Sequence, residues 1–190
     1  MQSSILALVL LGLTSQALSS DICQAPQSES VFFLTNSRSD FYVANDFTQG
    51  KVLITFGDNG HAALWCIVDL VSGYTYLNTP EGGCKKTLYT DEQNALFEQC
   101  LPDTAVLERS GDVDFYSMSA PTLDWLVGMQ PVPDTEYYFR HFSRFFHENV
   151  VSEDSTYGVV YQYSLGISDP TVFDKDLSVC EDAPLDRASK

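Results

Sequence analysis

Positive charge is scarce in this chain: 10 Lys and Arg stand against 26 Asp and Glu, a formal net charge of −16 over 190 residues. Phosphate recognition needs clustered Lys and Arg, and the only adjacent basic pair is Lys85-Lys86, so no nucleic-acid partner is expected. Long apolar runs are missing too. After the amino-terminal segment, no stretch approaches the ~18 residues that a membrane-crossing helix requires. No C-x-x-C pair occurs, and His61, His141 and His147 do not stand at zinc-finger spacing from any cysteine. There is no G-x-S-x-G elbow, no H-E-x-x-H and no glycine-rich phosphate loop, which leaves enzymatic chemistry without a motif. Finally, none of Asn36, Asn45, Asn59, Asn78, Asn94 and Asn149 heads an N-x-[ST] acceptor site, so no N-linked glycan is expected.

What is present points outward from the cell. Ile5 to Leu13 is nearly all aliphatic, and Ala17 and Ser19 are small residues at −3 and −1 of a cleavage site. Residues 1–19 therefore read as a secretory signal peptide and 20–190 as one domain, because the chain is 44% hydrophobic and long enough to bury one core. Cys23, Cys66, Cys84, Cys100 and Cys180 suit disulfides in an exported protein, with an odd thiol left over and the pairing open.

Periodicity favours strands. Val31–Thr35, Phe41–Val43, Val52–Phe56, Ala62–Leu70 and Tyr74–Leu77 are β-branched or aromatic runs divided by Asn36-Ser-Arg-Ser39, Gly57-Asp-Asn-Gly60 and Ser72-Gly73. Further runs are Ala105–Leu107, Val113–Met118, Thr122–Val127, Glu136–Phe146 and Val159–Ile167, and Asp91–Gln99 is the one helix candidate. Such spacing predicts an antiparallel sandwich or half-open barrel. Strand alternation sets Tyr137, Phe139 and His141 on one face against Tyr138, Arg140 and Phe142, and Val159, Tyr161, Tyr163 and Leu165 against Val160, Gln162 and Ser164. Aromatic faces of this kind build a core and an apolar pocket equally well. Asp112-Val-Asp114, Ser152-Glu-Asp154 and Asp174-Lys-Asp176 offer closely spaced oxygen ligands, so Ca²⁺ is the one cofactor to consider, although none continues as an EF-hand loop.

Several segments resemble the ependymin family. Cys23-Gln-Ala-Pro-Gln27 is similar to the start of mature ependymin-related proteins. Tyr74-Thr-Tyr-Leu-Asn78 followed by Cys84-Lys-Lys-Thr-Leu88 looks like the family's strand, cysteine, basic residue and Leu pattern. Cys100-Leu-Pro-Asp-Thr-Ala105, Trp125, and the terminal Leu165-Gly-Ile-Ser-Asp-Pro-Thr-Val-Phe173 with Cys180 complete the likeness. It implies two curved antiparallel sheets in a half-open sandwich with an apolar pocket, similar to bacterial lipoprotein carriers. It further implies a secreted or lysosomal protein that binds lipid or fatty acid, with calcium-dependent behaviour, contact with membrane or extracellular matrix, and homodimers. The alternative within the same resemblance is a calcium-dependent cell–matrix adhesion protein that holds no lipid.

By aromatic content and strand placement, the expected pocket residues are Tyr76, Trp125, Tyr137, Phe139, Tyr161 and Tyr163. The resemblance also implies a Cys84–Cys180 bridge, whose long loop is worth about 4–5 kcal/mol in the chain-entropy model. Where the family has the partner of its first cysteine, this chain has Gly128-Met129-Gln-Pro-Val132. Cys66–Cys100 and Cys23–Cys100 are then both open, each leaving one free thiol.

Overall fold

Turn chemistry cuts the chain into short extended segments, and these pair with their sequence neighbours. The computed structural model describes residues 22–34, 39–57, 59–89, 97–120, 123–146 and 156–183, with side chains except at 119–120, 123–125, 142–146 and 156–159. The expected leader at 1–19, the Ser152–Asp154 cluster and most of the expected helix at Asp91–Gln99 lie outside the described residues.

The strands are β1 (Gln27–Leu34), β2 (Ser39–Asp46), β3 (Lys51–Phe56), β4 (Trp65–Asp69), β5 (Tyr74–Thr79) and β6 (Gly83–Leu88), followed by β7 (Val106–Arg109), β8 (Asp114–Ala120), β9 (Leu123–Pro131), β10 (Tyr138–Phe146), β11 (Thr156–Leu165) and β12 (Glu181–Asp182). They form an all-β sandwich of two sheets, eight strands (β12-β6-β5-β4-β3-β2-β1-β11) and four (β10-β9-β8-β7), not closed into a barrel. Strand β11 serves both sheets. Its first residues, Thr156 and Tyr157, pair with Arg144 and Ser143 of β10, whereas Gly158 to Val160 and Gln162 to Leu165 pair with β1. The ladder between β10 and β11 stops there, so the two sheets part and a space opens between them.

Both faces of the large sheet are covered. On one face Val31, Tyr42, Ala44, Leu53, Trp65, Ile67 and Cys84 pack against Val172, Phe173 and Cys180 of the carboxyl-terminal tail. The tail turns twice in 3-10 helices, Pro170–Phe173 and Leu177–Val179, each started by an aspartate whose side chain accepts a backbone N–H, Asp169 from Thr171 and Asp176 from Ser178. Adjacent β3 residues show the two-sided burial: Val52 and Leu53 point to opposite faces, and both are almost wholly hidden. The small sheet has its own core of Met118, Val127 and Met129, sealed by Ile22, Leu101, Ala105, Tyr116 and Tyr138.

Two disulfides tie the ends down. Cys84–Cys180 joins β6 to the tail, and Cys23–Cys100 joins the amino-terminal segment to the stretch preceding β7. The Cys84–Cys180 bridge implied by the resemblance is present. Of the two open alternatives for Cys100, the structure has Cys23–Cys100, and Cys66 is the free thiol. Met129, standing where the family's cysteine is expected, is fully buried beside Ile22 and Leu101, the neighbours of the bridged pair. Just past Cys180, β12 adds a parallel edge to β6 and sets Glu181 on Lys85 and Asp182 on Lys86.

Candidate functional site

Where the sheets part, a cavity of about 150 Å³ remains. Its floor is the inner face of the large sheet: Ser30 and Phe32 of β1, Val43 and Asn45 of β2, Val52 and Ile54 of β3. Its other walls are Val160 of β11, Arg140 of β10, Phe97 and Gln24. Apolar side chains make up most of this surface. Phe32 stacks on Phe41 with ring centres 5.3 Å apart, and Phe41 meets Phe56 edge-on at 4.6 Å, which continues the apolar floor sideways.

The wall carrying Phe97 is held by the amino-terminal segment. Gln24 N–H donates to Gln99 O at 2.9 Å, Gln99 Nε2 donates to Gln24 O at 2.9 Å, and Leu101 N–H donates to Ile22 O at 3.0 Å. Tyr138 N–H donates to Cys23 O, so the same segment runs along β10 where β11 has left it. The Cys23–Cys100 bridge lies in the middle of these bonds.

Among the described lining residues Arg140 is the one cation. It pairs in register with Met129 and so points from β10 into the sandwich. Burial pulls its guanidinium down to about 10, while the nearby charges of Glu98 and Tyr89 act the other way. It therefore remains cationic at neutral pH. Cys66 is paired with Ile54 and shares the inner face; burial pushes its thiol up to about 11.

A second, more open groove of about 500 Å³ follows the β1–β11 seam, between Glu29, Val31 and Tyr42 on one side and Tyr161, Gln162 and Tyr163 on the other. It lies over a bulge. Val31 pairs with Gln162 but Phe32 pairs with Val160, which leaves Tyr161 outside the register. Beside the groove Glu29 is buried and fully engaged. It accepts from Tyr42 Oη at 2.8 Å, from Ser168 N–H at 2.8 Å and from Ser168 Oγ at 2.9 Å. Those bonds fasten the start of the tail to β1, and burial together with Glu29 raises the Tyr42 phenol well above its usual range.

The six aromatic residues expected in a pocket are dispersed. Tyr161 and Tyr163 line the open groove, with Tyr161 exposed. Phe139 packs against Tyr163 at 4.6 Å and against His141 at 4.6 Å, closing the gap between β10 and β11, and burial lowers the pKa of His141 there. Tyr76 packs against the tail-covered core on the opposite face. Tyr137 precedes β10 in the turn after β9, where its carbonyl accepts from Val132 N–H. Trp125 pairs in register with Met118 and Arg144, and its side chain lies outside the described part. The cavity instead takes Arg140, from the alternate face of β10, and Val160, brought inward by the bulge.

Of the oxygen clusters, Asp114 accepts from Ser110 Oγ and Gly111 N–H within its own turn, and Asp176 caps the second 3-10 helix. Among the described residues no group of three or more His, Cys, Asp or Glu is arranged to hold a metal ion. Among the same residues no helix is long and apolar enough to cross a membrane. Two disulfides point to an oxidising environment, extracellular or lumenal. Comparison with family models and with curated proteins gives no match to this chain.

Proposed function

We propose that this protein is an exported carrier that holds a small apolar or amphipathic lipid between its two sheets, in the manner of ependymin-related proteins. The observation that carries this reading is the cavity over Phe32, Val43, Val52 and Ile54, a half-open, mostly apolar space at the place where the sheets part. Ligand sites take this form: mostly apolar walls with a few polar groups that fix orientation. The disulfides and the resemblance of the tail, Leu165–Phe173 with Cys180, support export and the family placement.

The test is direct. Protein purified from an oxidising host is extracted with organic solvent and the extract identified by mass spectrometry, while a fluorescent fatty acid is titrated onto the stripped protein. A bound lipid, together with loss of probe binding in Val43→Phe, is the expected result. Neither lipid nor probe binding would refute the carrier reading. Calcium-dependent self-association in that case would favour an adhesion protein.

A further inference from the structure

We propose that the open groove along the β1–β11 seam binds sugar: a neutral pyranose lies on the ring of Tyr161 and hydrogen-bonds to Gln162 and Ser164. The groove shares only Ser30 with the described lining of the cavity, so the proposal stands apart from the carrier reading.

The placement of Tyr161 carries it first. The bulge between Val31 and Phe32 takes Tyr161 out of the β1–β11 register and leaves it half exposed along the groove. Bulges re-aim single side chains and are frequent beside functional sites. A phenol ring offers a flat apolar surface with a polar tip. The C–H face of a pyranose is also flat and apolar, with hydroxyls around its rim, so the two surfaces match.

The chemistry of the floor agrees. Gln162 and Ser164 stand two apart on β11, share one face of the strand and are exposed. They pair in register with Val31 and Glu29 of β1. An amide and a hydroxyl each donate and accept hydrogen bonds. A polyol does the same at every hydroxyl, whereas a hydrocarbon uses neither capacity.

Charge narrows the class to neutral ligands. Among the described lining residues there is no Lys, Arg or His to hold an anion. The one carboxylate there, Glu29, is buried and accepts from Tyr42 Oη and from Ser168 N–H and Oγ. It is therefore committed to the tail rather than to a cationic ligand, and its bonds hold Tyr42 as a fixed wall. The net charge of −16 repels acidic sugars besides. Because the groove is open, selection comes from these groups and not from length; the terminal residue of a longer glycan offers the same ring.

Saturation-transfer NMR on the full mature chain tests the proposal. The probes are the methyl glycosides of glucose, galactose, mannose and N-acetylglucosamine, with sorbitol as an open-chain polyol and N-acetylneuraminic acid as an acidic sugar. At least one glycoside should bind with a Kd of about 1–10 mM and receive saturation on its ring C–H protons. Sorbitol and the acidic sugar should bind at least about tenfold more weakly. Tyr161→Ala should weaken glycoside binding about five- to tenfold, and Gln162→Ala about three- to tenfold, each variant checked for folding by a thermal melt. If Tyr161→Ala does not fold, the sorbitol comparison and Gln162→Ala still decide. No binding by any glycoside, sorbitol binding as well as the glycosides, or unchanged affinity in both folded variants would overturn the proposal and leave the lipid carrier untouched. Val43→Phe should not alter sugar binding; its loss there would put the sugar in the cavity and overturn the groove site.

Discussion

Gly60 lies in the turn between β3 and β4, beneath the carboxyl-terminal tail. A methyl group there would sit 2.4 Å from Val172 Cγ1, 2.9 Å from Val172 Cβ and 3.0 Å from Tyr42 Cε1. Carbon atoms rest ~3.5–4.0 Å apart, so the tail would have to retreat by roughly 1 Å. The turn cannot give way in its place: Thr55 Oγ1 donates to Asn59 O at 2.6 Å, and Lys175 Nζ donates to Gly60 O at 3.3 Å. Overpacking of this kind costs about 1–3 kcal/mol. Val172→Ala alone removes two buried methyl groups and leaves a small void, a loss of about 2 kcal/mol. In the double variant the Cγ1 that blocks the new methyl is gone. Val172 Cβ at 2.9 Å and Tyr42 Cε1 at 3.0 Å still crowd the methyl, so Gly60→Ala with Val172→Ala should cost more than Val172→Ala alone but less than the sum of the two single losses, a coupling of about −0.5 to −2 kcal/mol. Urea unfolding with disulfides intact, followed by Trp fluorescence and far-ultraviolet circular dichroism, measures all three variants. Losses that simply add, within ~0.5 kcal/mol, would show that the tail does not seat on Gly60.

Removing the tail's covalent tie, Cys84→Ala with Cys180→Ala, opens a loop with a sequence separation of 96 and should lower stability in urea by up to about 4.7 kcal/mol in the chain-entropy model; a loss below ~1 kcal/mol would contradict a fixed tail. The Asp169 carboxyl, which accepts from Thr171 and faces His61 at 2.9 Å, is held at about 2. A depressed carboxyl stabilises the fold above its ordinary pKa and loses that contribution as pH falls through the folded value. The melting temperature should thus fall between about pH 4 and pH 2, and less steeply in Asp169→Asn; identical slopes would remove Asp169 from the account. Cys66, with its thiol raised to about 11, carries about one thiolate in a thousand at pH 8, so a thiol reagent should label it slowly in the native protein and at once in urea. Rapid native labelling at pH 8 would show that β4 is open to solvent.

Legibility followed pattern strength. Runs such as Val31-Phe-Phe-Leu34 and Val52-Leu-Ile-Thr-Phe56 announce strands because β-branched and aromatic residues lie between Gly and Asn turns, and both are strands. Strand β6 was not readable: Gly83-Cys-Lys-Lys-Thr-Leu88 carries two lysines, as suits a strand near a sheet edge, where charge does not have to be buried. Two-residue β12 exists only because Cys180 is bonded to Cys84 and brings Glu181 to Lys85. The cavity was harder. Simple alternation places Tyr161 with Tyr163, yet the bulge at Tyr161 resets the period and turns Val160 inward beside Phe32. A bulge of one residue leaves no mark in composition. Arg140 did leave one: a cation in the run Tyr137-Tyr-Phe-Arg-His-Phe142, on the same alternation set as Tyr138 and Phe142, is a charge assigned to an apolar face. That mismatch between charge and face was the available pointer to the site.

Neighbouring residues on β2 separate the filled face of the large sheet from the hollow one. Ala44 is wholly buried under the tail, whereas Val43 points the other way and lines the cavity. Both faces use the same apolar residue types, so sequence does not tell them apart; the difference lies in what covers them. The tail is anchored by Ser168 on Glu29, by Asp169 on His61 and by Cys180 on Cys84, and packs down fully. The small sheet is joined through the first residues of β11 and through Cys23–Cys100, and diverges from the floor between those ties. Adding a phenyl ring on each side should then have opposite effects. Val43→Phe places its ring in a space of about 150 Å³, enough for benzene, and should stabilise by about 0.5–2 kcal/mol while displacing any ligand. Ala44→Phe has no space to enter and should destabilise by about 1–3 kcal/mol or more. Urea midpoints for the two variants provide the comparison. If Val43→Phe destabilises as much as Ala44→Phe, the inner face is as tightly packed as the outer one, and no room for a ligand exists between the sheets.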